Sequence, residues 1–221
     1  AFANFSLKLS PPVFKDQQEP EINATGLRHI MLAEPIAYDL IMDKNANFIF
    51  LTGANMAGKS TFLRTVALQI VMANMGLPTP AVQSQYSPIK LITSMRTTDN
   101  LTQDASYFFS ELQRLKYIVQ AIEKDTYFII LDEILKGTNS QDKASGSKKF
   151  IEKLVQSKAT GIIATHDLSL CETANTYSEV ENYYFDASIE NNELYFDYIF
   201  KKGICQNMNA SFLLKKMGIV N

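Results

Sequence analysis

The chain has 221 residues, 46% hydrophobic and 20% charged, with a formal net charge of −2. That composition supports one folded domain with a continuous core, and excludes a disordered polyelectrolyte or a globally basic nucleic-acid binder. No apolar run approaches the ~20 residues that span a bilayer, no signal-peptide pattern opens the chain, and Cys171 and Cys205 have no metal-ligand or redox spacing. A reduced, cytoplasmic setting without a membrane partner is therefore expected. A chain that begins at Ala1 reads as a fragment of a longer polypeptide.

Residues 1–25 are polar and contain Pro11, Pro12 and Pro20; they read as a linker or edge segment ahead of a domain over 26–221. Gly26-Leu-Arg-His-Ile30 and Glu34-Pro-Ile-Ala-Tyr-Asp-Leu40 follow. Two readings are open for them. Either they wall a base site, with Tyr38 stacking on a purine beside Arg28 or His29, or they are surface strands with an exposed aromatic.

Asn47-Phe-Ile-Phe-Leu51 is an apolar run expected as a buried strand. Behind it, Gly53, Gly58, Lys59 and Ser60 fit G-x-x-x-x-G-K-[ST], the phosphate-binding loop. Glycines let the backbone wrap a phosphate, and the amides and dipole of a following helix favour its charge. In that chemistry Lys59 reaches the β- and γ-phosphates and Ser60 ligates magnesium, so a nucleoside triphosphate is the expected ligand. The bland alternative is a glycine turn that binds nothing. Phe62, Leu63, Val66, Ile70 and Val71 recur at helical spacing, and Gly76, Pro78 and Pro80 end that helix near Met75. Met72 and Met75 read as core filler on its apolar side.

Residues 81–100 read as irregular strands, with Arg96 and Asp99 in a polar turn. Ser106-Tyr-Phe-Phe-Ser-Glu-Leu112 opens a long helix that runs on through Leu115, Ile118, Val119 and Ile122. Asp104 or Ser106 is its N-cap, and a serine at a helix start also suits a phosphate.

Thr126-Tyr-Phe-Ile-Ile-Leu131 is long and apolar enough for a central parallel strand. Asp132 and Glu133 at its carboxyl end lie where open α/β sheets bind ligands. Asp132 is expected to hold magnesium and Glu133 to orient and deprotonate the attacking water. After the polar turn Gly137-Thr-Asn-Ser-Gln-Asp142, a helix runs through Phe150, Ile151, Leu154 and Val155. Thr160-Gly-Ile-Ile-Ala-Thr-His166 is a third buried strand. His166 at its end either polarises a γ-phosphate or is an ordinary hydrogen-bonded sheet-edge residue. Glu181–Asp186 and Leu194–Phe200 read as two antiparallel strands about an Asn191-Asn192 turn, and Met208–Met217 as a terminal helix.

Taken together these motifs resemble the ATPase domain of the MutS family of DNA mismatch-repair proteins. Thr52-Gly-Ala-Asn-Met-Ala-Gly-Lys-Ser-Thr61 is similar to the family's T-G-x-N-M-x-G-K-S-T, with Ala54 and Ala57 in place of a usual proline and glycine. Ser106-Tyr-Phe-Phe-Ser-Glu111 resembles S-T-F-x-x-E, with Tyr107 for threonine. Leu131-Asp-Glu-Ile-Leu-Lys-Gly-Thr-Asn-Ser140 resembles L-D-E-I-x-x-G-T, with Lys136 for a common arginine, and Ala164-Thr-His166 resembles the switch histidine.

The resemblance implies a divergent MutS-like branch with an ABC-type P-loop NTPase fold. That is an α/β architecture: a mostly parallel central sheet flanked by helices, with an antiparallel edge near the C-terminus. It implies ATP/ADP and Mg2+ held by Gly53, Ala54, Asn55, Met56, Ala57, Gly58, Lys59, Ser60 and Thr61, with Ser60 and Asp132 on the metal. Glu133 and His166 are implied as catalytic, and Ser106 as acting in trans across a homodimer. Hydrolysis is then slow in the isolated domain and couples the dimer to a DNA clamp. Mismatched or branched DNA is contacted by regions outside this chain. Two other classes stay open: an ABC-type ATPase of another DNA-processing or transport system, and a nucleotide-gated structural module. The absent L-S-G-G-Q signature argues against a transporter, and the Asp132-Glu133 pair against a purely structural module.

Overall fold

The computed structural model describes residues 9–15, 21–95, 104–135, 140–157, 159–190 and 193–205. Strands and helices are numbered in chain order. A four-stranded sheet combines β1 (Val13–Phe14), β2 (Ile22–Leu27), β3 (Tyr38–Met42) and β5 (Gln83–Tyr86) in the order β1-β5-β2-β3. A six-stranded sheet holds β4 (Phe48–Gly53), β6 (Lys90–Ser94), β7 (Tyr127–Asp132), β8 (Thr160–Ala164), β9 (Val180–Phe185) and β12 (Lys201–Lys202). Its order is β12-β9-β4-β8-β7-β6. All neighbours in it are parallel except β12, which runs antiparallel to β9 at the edge. The architecture is mixed α/β with a mostly parallel sheet.

Every residue of β4 and β8 is buried, which is why these strands are continuous apolar runs. Alternation divides their side chains between two cores. Ile49 and Leu51 join helix α1 (Lys59–Asn74) and the small sheet on one face. Phe48 and Phe50 join helices α2 (Asp104–Ile122) and α3 (Ser140–Gln156) and the short 3-10 helix Leu168–Asn175 on the other. Helix α1 stops at Gly76 as expected, with Leu77 N–H bonding back to the Met72 carbonyl at 2.9 Å. Met75 is not core filler: it is 67% exposed, because it lies beyond the helix's last turn.

Two further expectations change. Glu181–Asp186 is not one arm of a hairpin; β9 is an interior strand paired in parallel with β4 from Phe48↔Val180 to Gly53↔Phe185. The hairpin forms downstream, between β10 (Ala187–Glu190) and β11 (Glu193–Phe196). The boundary drawn at residue 25 falls inside β2, whose Ile22, Ala24 and Leu27 are all core residues. Arg96, Asp99, Lys136, the start of the 137–142 turn, the Asn191-Asn192 turn and the terminal helix lie outside the described residues. Among the described residues no helix is long and apolar enough to cross a membrane.

Candidate active site

Strands β4, β7 and β8 end at one edge of the large sheet, and their exits meet in a cavity of about 170 Å³. It is lined by Asn55, Met56, Gly58, Lys59, Ser60, Thr61, Asp132, Glu133 and His166. The β4 exit depends on glycine. Gly53 has φ 139° and Gly58, at the N-cap of α1, has φ 101°, a region open to residues without a Cβ. A Cβ on Gly53 would also stand 2.5 Å from the Phe185 carbonyl oxygen. Lys59 is buried, and its Nζ donates to the carbonyls of Gly53 at 2.7 Å and Ala54 at 2.9 Å. The ammonium is thus folded under the loop it would serve. Ala57 sits in the core below, so its methyl occupies packed space.

The acidic half comes from β7. Ser60 Oγ donates to Asp132 Oδ2 at 2.7 Å across 72 residues of sequence. A hard cation takes oxygen ligands, and magnesium keeps several waters or phosphate oxygens beside one or two carboxylates. The adjacent Ser60 and Asp132 oxygens fit that pattern. Glu133 N–H donates to the Ala164 carbonyl at 2.9 Å, extending the β7–β8 ladder by one bond. His166 Nε2 lies 2.9 Å from Glu133 Oε1. The arrangement gathers an ammonium, a hydroxyl bonded to a carboxylate, a second carboxylate and an imidazole around one space, groups of the kind phosphoryl transfer uses.

The profile of MutS domain V matches residues 49–216. The chain belongs to the MutS family. It is 32% identical over 190 residues to MutS protein homolog 4 from Homo sapiens, covering 83% of this chain and 20% of that protein. The DNA mismatch repair protein MSH4 of Arabidopsis thaliana is 30% identical over 186 residues, covering 82% of this chain and 23% of its own length. The chain therefore spans about a fifth of the curated relatives it matches.

In this MutS-family chain Asn55, Met56, Gly58 to Thr61, Asp132, Glu133 and His166 converge on the cavity, while Gly53, Ala54 and Ala57 shape the loop behind it and Tyr38, Arg28 and His29 do not join them. Tyr38 is 6% exposed, its ring set edge-on to Phe62 at 5.2 Å and Phe185 at 5.8 Å. It shares strand parity with Leu40 and Met42, so it is a core residue with no open face for a base. Burial, with Tyr198 nearby, raises its hydroxyl pKa. Arg28 and His29 do not line the cavity either. Arg28 Nη1 donates to Gly26 O at 3.2 Å, and His29 Nδ1 accepts from Met31 N–H at 3.2 Å. Burial, then the Arg64 charge, lowers the His29 pKa. Ser106 falls in the first turn of α2, and its side chain lies outside the described residues.

Sequence reasoning missed Tyr198. It follows β11, holds left-handed backbone at φ 53° and is 36% exposed. Its ring lies over the start of α1, with Cδ1 3.1 Å from where a Gly58 Cβ would stand. The aromatic alternation of Leu194–Phe200 read as sheet core and gave no reason to single it out.

Proposed function

We propose that this chain is the ATP-binding and hydrolysing domain of a MutS-like protein, an ABC-type P-loop NTPase in which ATP couples subunit pairing to the state of a DNA clamp. The observation that carries the reading is the convergence of Lys59, Ser60, Asp132, Glu133 and His166 on one cavity at the carboxyl ends of three parallel strands. Lys59 exchanges its carbonyl partners for phosphate oxygens. The loop amides from Ala54 to Thr61 and the N-terminus of α1 take the remaining charge, and Asn55 faces the γ-phosphate. Ser60 and Asp132 would hold Mg2+, which supplies charge neutralisation at the β- and γ-phosphates. Glu133 accepts the proton of the attacking water, while His166 holds that carboxylate and contacts the γ-phosphate. Tyr198, an exposed ring beside Gly58, takes the place of Tyr38 as the wall for the base.

Ser106 acts in trans. Phe109 and Leu112 on the same helix are 60% and 40% exposed, an apolar pair that supports a partner subunit at that end of α2. With a net charge of −2, the chain leaves mismatched or branched DNA to regions outside it. That DNA role comes from the names of its relatives.

The test is ATP turnover against protein concentration, for the wild type, Glu133→Gln, Lys59→Ala and Ser106→Ala. Glu133→Gln should keep nucleotide binding and lose about 10²- to 10⁴-fold in turnover, the usual contribution of a positioned base. Lys59→Ala should weaken nucleotide binding itself. Activity that rises with concentration and falls in Ser106→Ala supports composite sites. Unchanged phosphate release from Glu133→Gln sinks the catalytic reading.

A further inference from the structure

One side chain outside the cavity reaches the turn that carries Glu133. Glu111, two turns into α2, accepts the Leu135 N–H on Oε1 at 2.7 Å, across 24 residues of sequence. Leu135 lies two residues beyond Glu133, and both are left-handed, at φ 55° and 56°. Non-glycine residues remain in that region only when their surroundings hold them. Here the holds are specific. Glu133 is tied through its N–H to Ala164 and through its carboxylate to His166. The side chains of Ile134 and Leu135 are 4% and 6% exposed, in the core shared with α2 and α3. The buried Leu135 N–H needs an acceptor, and Glu111 supplies it.

We propose that Glu111 is a positioning residue for hydrolysis, and the proposal rests on the ATPase reading above. Its hydrogen bond fixes the turn from Glu133 to Leu135, and that turn sets where the Glu133 carboxylate stands against water and γ-phosphate. Glu111 is not among the residues that line the cavity. It ties helix α2 to the turn that carries Glu133 through the Leu135 N–H. A shift of the α2 N-terminus, as when a second subunit meets it, therefore reaches Glu133 without passing through the phosphate loop. Nucleotide affinity and turnover are separated by this design: the β4 side governs the first, and the α2 side adjusts the second.

Steady-state hydrolysis and equilibrium binding of a fluorescent ATP analogue, measured on the full chain carrying Glu111→Ala or Glu111→Gln, test this. Glu111→Ala should lower kcat about 10- to 100-fold, with KM and analogue affinity within about threefold, because displacements of an ångström cost rate on that scale. Glu111→Gln keeps an oxygen that accepts the Leu135 N–H, so kcat should stay within about fivefold of wild type. Equal losses in the two variants overturn the proposal, since the charge and not the acceptor would then matter. Loss of analogue affinity together with kcat overturns it by making general unfolding the cause. Wild-type turnover that Glu111→Ala leaves intact removes this proposal alone. A wild type without turnover removes the ATPase reading along with it.

Discussion

The turns that leave β4 and β7 stand side by side at one edge of the large sheet and are held in different ways. The β4 turn is local. Gly53 and Gly58 supply two of its positive-φ positions beside a left-handed Met56 at φ 69°, and Lys59 bonds to carbonyls five and six residues away. The β7 turn is assembled from afar. Glu133 and Leu135 have no glycine's freedom, and their partners are the Ala164 carbonyl, His166 and Glu111. A left-handed non-glycine residue costs about 1–3 kcal/mol, so two in three residues form only when those partners are in place. The two turns also rest on opposite faces of the sheet, Ala57 in the core with α1 and Leu135 in the core with α2 and α3. The β4 turn is therefore held largely within its own segment. Glu133 depends on the packing of other elements, so changes in those elements should reach it.

Breaking the local turn should have the largest effect. In Gly53→Ala the new methyl meets the Phe185 carbonyl oxygen at 2.5 Å while φ is 139°, and nothing flexible can move aside. We expect a loss of about 2–4 kcal/mol of unfolding free energy, the range of overpacked and strained backbone sites, with nucleotide binding lost as well. A denaturant melt checks it. A wild-type midpoint would mean that glycine is not what shapes the β4 exit.

Alkaline unfolding asks whether the two faces act as one unit. Burial, then Asp167, pushes the Cys171 thiol from its ordinary 9.0 up to about 12, and burial pushes the Tyr86 hydroxyl from 10.0 up to about 12. Cys171 lies in the core under the β7 turn and Tyr86 in the core under the β4 turn. The unfolded chain releases both protons at lower pH than the folded chain, so stability falls as pH rises from about 9 toward 12. One transition, seen equally by tyrosine absorbance and by thiol alkylation, is expected. Two separated transitions would mean that each turn stands on an independent half.

What could be read in advance follows the same division. The apolar runs of β4, β7 and β8 carried their own assignment, and so did the spacing of Gly53, Gly58, Lys59 and Ser60. Asp132 and Glu133 could be placed because strand polarity puts them at the ligand edge. Glu111 could not be given a role, since its partner is an amide that only tertiary packing brings near. Tyr38 carries a readable signal of burial: its parity with Leu40 and Met42 marks the buried face of a strand. Glu181–Asp186 reads as a hairpin arm because the nearby Asn191-Asn192 offers a turn. In the sheet β9 lies between β12 and β4, and β4 is more than a hundred residues upstream. Parallel pairing leaves no mark between the strands it joins.

The finest test of the comparison is Gly146→Ala. Gly146 lies within α3, where a Cβ would stand 3.0 Å from Leu135 Cδ1. Alanine in a helix interior is favoured over glycine by about 0.5–1 kcal/mol, and the end of a leucine side chain can yield a few tenths of an ångström. The unfolding midpoint should therefore stay level or rise slightly. Leu135, however, closes the turn that aims Glu133, so a small push there should lower turnover by about two- to fivefold. Analogue affinity should not move, since the β4 turn rests on the other face. A variant that gains stability and loses turnover makes α3 packing a further hold on the catalytic carboxylate. A variant that gains stability with full turnover would mean that the Leu135 side chain repacks freely, leaving the bonds to Ala164, His166 and Glu111 to fix Glu133.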